Sequence, residues 1–358
     1  MGGNIRTTDK TTPSTSPTIL TYYLDWDRDD YGDIAEDFEE GKQTENYTLV
    51  DGDCDDNNFD VNPGVSEICG NGVDDNCEDG IDEGCDTVGY FYEGAGSLPS
   101  PYVIYNCYQL ENVSYDLSAY YELGDNIDCS MTTSWDEGAG FAPIGESGSP
   151  FNGEFDGGAF YIDGLFIDRS GEDYISLFGY VDSGEIINVG MIGSDITGNN
   201  YVGGIVGHGG DVRISYNTGS VSGNNYVGGI SGDKTKIYDS YNTGSIIGNE
   251  YVGGIVGFAA SSLNGAYNIG LVEGASKGGI TANYGYMSIG PSSFYLDSSC
   301  VGCYSYGMPR SSQQMMLSSG YGTVSFVYVW NFADTWNIEE GVSYPYLRGN
   351  EQIPHPSL

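Results

Sequence analysis

The chain has 358 residues, with 52 Asp and Glu against 11 Lys and Arg and a formal net charge of −41. A surface of that sign repels nucleic acid and anionic membranes; it excludes proteins that work by gripping either and favours bound cations, high-salt surroundings or both. Glycine (56) and tyrosine (31) are abundant and aromatic residues reach 13%, which is the composition of a turn-dense β protein and not of a disordered acidic tail.

Eight cysteines fall into two groups, Cys54, Cys69, Cys77 and Cys85, then Cys107, Cys129, Cys300 and Cys303. An even count in an acidic, lysine-poor chain points to an oxidising compartment. No apolar run of about 20 residues could span a membrane. Residues 1–20 are rich in Thr, Ser and Pro and read as a flexible leader or linker. They lack the apolar core of a signal peptide, so the N-terminus reads as a truncation or an internal start of a longer exported protein.

Residues 21–86 carry the densest acidic charge. In DWDRDDYGDIAE (25–36) oxygen donors fall at positions 1, 3, 5, 9 and 12 of a loop: Asp25, Asp27, Asp29, Asp33 and Glu36. The carbonyl of Tyr31 takes position 7. That is the ligand order of an EF-hand loop, except that position 6 is Asp30 where the EF-hand has Gly. A second cluster offers Asp51, Asp53, Asp55, Asp56 and Asp60; a third offers Asp74, Asn76, Glu78, Asp82 and Glu83. So many carboxylates would repel one another without cations, and oxygen-only ligands favour Ca²⁺ over zinc or copper. The segment has no His, so its four cysteines read as disulfides, with three connectivities open. The blocks YYLDWDRDDYGD, DGDCDD and NPGVSEICGNGVDDNCEDGIDEGC resemble the MopE-type metal-binding motif and, more loosely, the calcium-wrapped repeats of thrombospondins. The resemblance implies a module holding more than one calcium ion.

Residues 98–190 read as a strand, a short helical turn at QLENV and a succession of short β runs. They form the N-terminal cap and first coils of a β-helix, and Cys107 and Cys129 could staple the cap. Within 191–290 two phrases recur. YVGGIVG (201–207) returns at 226 and 251, and YNTGSVSG (216–223) returns at 241 and 267. A period of 25 residues signals a repeat architecture. Two short strands and two turns per period predict one coil of a β-solenoid. Tyr216, Tyr241 and Tyr267 then form one ladder, and Asn217, Asn242 and Asn268 another beside it. KGGITA (277–282) is an eroded fourth copy. Residues 291–349 close the stack; Cys300 and Cys303 read as a local disulfide, and 350–358 as a tail. The two phrases resemble the GLUG repeat of bacterial and archaeal surface proteins, which implies a right-handed parallel β-helix in an adhesin-like protein.

Catalytic signatures are scarce. The two histidines, His208 and His355, stand alone, and no Ser-His-Asp set, HExxH or phosphate loop appears. Asp156, Asp163 and Asp168 lie in strand-like runs and are the candidates if the solenoid acts on polysaccharides. Tyrosine faces could instead stack on sugars or on a protein partner. The sequence therefore predicts an all-β chain: a right-handed parallel β-helix preceded by a small, loop-rich, cation- and disulfide-stabilised acidic module. The expected setting is extracellular or the cell surface. The expected work is non-catalytic adhesion to a surface glycan or protein receptor, or self-association into fibres, with no nucleic acid and no membrane insertion in this segment. The rival classes are a polysaccharide lyase or hydrolase and a calcium-dependent filament or surface-layer subunit.

Overall fold

A computed structural model describes residues 19–39, 46–65, 73–77, 91, 93–158, 160–258, 261–283, 292–303, 307–321, 330–349 and 355–356. The chain divides into two compact units, Met1–Asp86 and Thr87–Leu358. In the first, β1 (Ile19–Leu24) pairs antiparallel with β2 (Ile34–Glu39) and β3 (Tyr47–Thr48). Ile19 and Leu20 thus leave the expected leader and belong to a strand. The acidic loop 25–33 is the connection of the β1–β2 hairpin, so strands, not helices, bracket it.

The second unit is a parallel β-solenoid. Among the described residues, four parallel sheets of nine, eight, five and four strands form its faces. A typical coil places Asn200–Gly203, Val206–Arg213, Tyr216–Asn217 and Ser220–Ser222 one on each face. Each period therefore supplies four strands where two were expected. The Gly-Gly step splits the first phrase and the Thr-Gly step splits the second. At Gly204 an added Cβ would lie 2.4 Å from the Gly229 carbonyl oxygen and 2.8 Å from the Asn217 side chain, so that corner admits only glycine.

The register matches the repeat. Tyr216 pairs with Tyr241 and Tyr241 with Tyr267; Asn217, Asn242 and Asn268 pair in step with them. Inside each coil, apolar residues stack in files such as Val202–Val227–Val252 and Ile205–Ile230–Ile255, all fully buried. Each such side chain contributes about 1.5–3 kcal/mol of burial, and a coil gains it only when its neighbours cover it. The Asn file is also fully buried. Asn217 Nδ2 donates to Asn242 Oδ1 at 3.0 Å, and Asn242 Nδ2 donates to Asn268 Oδ1 at 2.8 Å. The same amides donate to the turn carbonyls of Gly219, Gly244 and Gly270.

Strand alternation sends the neighbouring tyrosines the other way. Tyr216, Tyr241 and Tyr267 stack at 5.1 and 5.0 Å in a second core with Trp330 and Trp336 of the closing segment. Their hydroxyls differ. Tyr267 donates to the Pro345 carbonyl at 2.5 Å, whereas the buried Tyr216 hydroxyl has no hydrogen-bond partner. Burial accordingly pushes the Tyr216 phenol far up. Tyr216→Phe should therefore be neutral or stabilise by up to about 1 kcal/mol, and Tyr267→Phe should cost about 1–2 kcal/mol. Denaturant midpoints of the two variants check the contrast; equal losses would contradict it.

The other tyrosine file is half-buried. Tyr174, Tyr201, Tyr226 and Tyr251 stack at 4.8, 4.7 and 5.1 Å with interplanar angles of 6–10°. All four hold positive φ, from 58° to 64°, a conformation unusual for aromatic residues. Successive rings cover one another's faces. The repeated tyrosines thus pack between coils and do not offer the stacking platform that their number suggests.

At the cap, the strand Tyr102–Ile104 is followed by α1 (Cys107–Asn112), and Cys107 pairs with Cys129. Asn106 caps α1 by accepting from the Gln109 N–H at 2.9 Å. Cys300 pairs with Cys303, as the local reading expects. Asp156, Asp163 and Asp168 lie on three different faces and do not converge.

Candidate metal centre

The hairpin loop brings its first three acids together. One carboxylate oxygen from each of Asp25, Asp27 and Asp29 lies within 4.8 Å of the others, and Asp27, Asp53 and Asp56 form a second such group. The first two acidic clusters of the sequence thus build one centre, with Asp27 shared. Backbone geometry explains the approach. Gly32 bridges Asp51 in parallel register, and the Trp26 N–H donates to Asp56 Oδ1 at 3.0 Å. A Cβ on Gly32 would lie 2.3 Å from the Leu24 carbonyl oxygen, so the loop closes only over a glycine there. Asp30, at the position the EF-hand gives to Gly, takes φ 78°. Aspartate tolerates that conformation better than most residues, so the turn forms without glycine.

Each acid divides its labour between the fold and the centre. Asp25 Oδ1 accepts from the Arg28 N–H at 2.6 Å, Asp29 Oδ1 from Tyr31 at 2.8 Å and Asp53 Oδ1 from Asp55 at 2.9 Å. Five other oxygens are buried with no hydrogen-bond partner: both of Asp27, and Oδ2 of Asp29, Asp53 and Asp56. Burial pushes the Asp53 carboxyl up to about 6, with the charges of Asp29, Asp27 and Asp56 adding to it. Asp27 and Asp56 are pushed up for the same reasons, burial first. Orphaned anionic oxygens are costly, and hard cations held by the two groups would satisfy them.

The remaining expected ligands divide. Asp33, Asp51, Asp55 and Asp60 are exposed. The Asp33 charge still reaches Asp56 and raises it. Tyr31, whose carbonyl is the expected seventh-position ligand, donates its N–H to Asp29 Oδ1. Glu36 stands in β2 opposite Tyr22, past the loop 25–33. Asp74 has a buried, unpartnered Oδ1, and Asn76 lies beside it in the segment 73–77. The Asn62 N–H donates to the Asp75 carbonyl at 2.8 Å and the Cys54–Cys77 disulfide ties this segment to the second cluster. That pairing selects among the connectivities left open. Glu78, Asp82, Glu83, Cys69 and Cys85 lie outside the described residues. No sequence signal announced that Asp27 would serve two groups, because its partners Asp53 and Asp56 belong to the other cluster.

Residues 53–86 match the MopE-type family model described as "Putative metal-binding motif". The match takes in Asp53, Asp55, Asp56 and Asp60 of the second acidic cluster and the Cys54–Cys77 disulfide. Over 127 residues the chain is 35% identical to Halomucin of Haloquadratum walsbyi, covering 32% of this chain and 1% of that protein. Over 109 residues it is 34% identical to a "Putative Gly-rich membrane protein" of Evansella cellulosilytica, covering 30% of this chain and 13% of that one. The chain thus spans a small part of either relative. A crystal structure from Bacteroides ovatus, described as a "putative immunoglobulin A1 protease", superposes with a TM-score of 0.55 at 20% identity, over 74% of this chain and 97% of that one. At that identity the likeness concerns the fold. Among the described residues no helix is long and apolar enough to cross a membrane.

Proposed function

We propose that the chain is part of an extracellular or cell-surface protein in which a calcium-stabilised module is joined to a β-solenoid that works by adhesion or as extracellular structure, without chemistry of its own. The observation that carries the reading is a pair of three-carboxylate groups sharing Asp27, with five buried, unpartnered oxygens among their members. Oxygen donors with no His or Met anywhere in residues 21–86 suit Ca²⁺. The matched family's name refers to copper, a metal better served by imidazole and sulfur, and the described centre has neither. Halomucin similarity, the GLUG-like repeat, the disulfides and the charge of −41 support a surface in salty surroundings. Such a surface keeps the protein soluble and leaves neutral glycans, protein receptors or further copies of itself as partners.

The test mixes the protein with a panel of surface polysaccharides in calcium and records size-exclusion profiles over time. Co-elution with an intact polymer is the expected result. Progressive shortening of any polymer would replace this reading with an enzyme. Calcium-reversible growth of the protein alone would replace it with a filament subunit.

A further inference from the structure

The cap carries a second feature that the repeat does not explain. An open cleft of about 420 Å³ is lined by Tyr108, Glu111, Trp135, Asp136, Gly140, Ala142 and Arg169. Its two walls come from different segments joined by one covalent link. Tyr108 and Glu111 stand on α1, immediately after Cys107; Trp135 and Asp136 come after a short 3-10 turn that begins past Cys129. The disulfide between Cys107 and Cys129 therefore fixes wall to wall.

The second wall is held in a conformation that costs energy. Asp136 and Glu137 are consecutive non-glycine residues at φ 46° and 56°. The Gly138 and Gly140 N–H groups both donate to the Trp135 carbonyl, at 2.9 and 3.1 Å. A Cβ on Gly140 would lie 2.3 Å from the Phe166 carbonyl oxygen, so the turn is pressed against the first coils. Arg169 clamps it, donating to Asp136 Oδ2 at 2.6 Å and to the Gly140 carbonyl at 3.2 Å. Strain maintained in this way at a cleft is a sign of a prearranged site.

The contents of the cleft define a ligand class. The Tyr108 and Trp135 rings form a tilted pair with centroids 5.0 Å apart, giving an apolar, aromatic wall. The half-buried Glu111 carboxylate has no hydrogen bond or ion pair among the described residues. Arg169 is already committed to Asp136, so the cleft has acceptors to offer and no free cation. An adjoining cleft shares Ala142 and Arg169 and adds Glu146, Glu172 and Asp173, which extends the same negative field. Aromatic wall plus anionic acceptors suits a ring with C–H faces and hydroxyl donors, while an acidic ligand is repelled.

We propose that this cleft binds a neutral sugar residue of a glycan chain, the aromatic pair taking the C–H face and Glu111 and Asp136 accepting from hydroxyls. Arg169 is a positioning residue. The inference deepens the adhesive reading and rests on it for the expectation that the ligand is a surface glycan.

The test titrates the full chain, in calcium, with neutral gluco-, manno- and galacto-oligosaccharides and with uronate-containing and sulfated ones, by calorimetry. At least one neutral series should bind, and the acidic ones should not. Trp135→Ala and Glu111→Gln should each raise Kd at least tenfold; if the first fails to fold, Glu111→Gln and Trp135→Phe carry the test. Failure of every neutral series, equal binding of acidic sugars, or neutral binding unchanged in Glu111→Gln would overturn the inference. Polymer co-elution that survives these variants would overturn the cleft while leaving the adhesive reading in place.

Discussion

Removal of calcium should melt residues 21–86 and leave the unfolding transition of the solenoid where it was. The metal-free module holds five buried oxygens of four aspartates without partners, and at neutral pH bound cations would both satisfy and neutralise them. Binding to the folded state alone stabilises by about 4 kcal/mol when free ligand reaches a thousand times its Kd, which is a large part of what a module of this size has to lose. Asp27→Asn should be the most damaging single change, since Asp27 is the shared member of both carboxylate groups. Asp60→Asn, at an exposed position, should leave calcium affinity almost unchanged.

The pH dependence should reverse with metal. Asp53 is held up to about 6 from an ordinary value of 3.8. A raised carboxyl contributes stability that is fully present below 3.8 and lost as pH rises through about 6. The chelated module should therefore be more stable at pH 5 than at pH 7.5. In calcium, protons compete with the ion for the same oxygens, so the loaded module should be more stable at pH 7.5. Calorimetric scans at both pH values, with calcium and with chelator, give four melting temperatures. Equal slopes in the two series, or a solenoid transition that moves with the module, would contradict this account.

Periodicity made the solenoid legible, because stacking turns a sequence period directly into a spatial register: Tyr216, Tyr241 and Tyr267 had to meet if the coils stacked at all. Strand count per coil was less legible, since Gly203–Gly204 reads equally as a packed strand interior or as a corner. Ring orientation was not legible. Only the folded chain, with a positive φ at each of Tyr174, Tyr201, Tyr226 and Tyr251 and their rings stacked, shows that these rings cover each other. In the acidic module, composition announced a cation site, but the pairing of Asp27 with Asp53 and Asp56 depends on a long-range approach that no local pattern encodes. The cap cleft was silent for the same reason. Tyr108, Glu111, Trp135 and Arg169 recur nowhere, and only the folded chain assembles them.

Asn242→Asp should be the most damaging isosteric change in the solenoid. Asn242 is fully buried; its Oδ1 accepts from Asn217, and its Nδ2 donates to the Gly244 carbonyl and to Asn268 Oδ1, both at 2.8 Å. Volume hardly changes in the variant, so packing cannot account for any loss. What changes is that two acceptors now face an acceptor. If the new carboxyl ionises, it is a buried charge with no cation beside it, costing roughly 3–5 kcal/mol. If it protonates, its single O–H can serve only one of the two acceptors and orphans the other, at about 1–3 kcal/mol. Because neighbouring coils stabilise each other, the loss should appear in the whole solenoid transition, as a fall of roughly 10 °C at neutral pH. Burial raises a carboxyl's pKa, so the deficit should shrink as pH falls towards about 4, the ordinary carboxylate range. Asn224→Asp is the control: Asn224 occupies an exposed file, donating to Asn199 Oδ1 at 3.5 Å, and its change should stay within about 0.5 kcal/mol. Equal effects at the two positions would mean that the buried amide file contributes no more than a solvated one, and that the coils are held together by their apolar files alone.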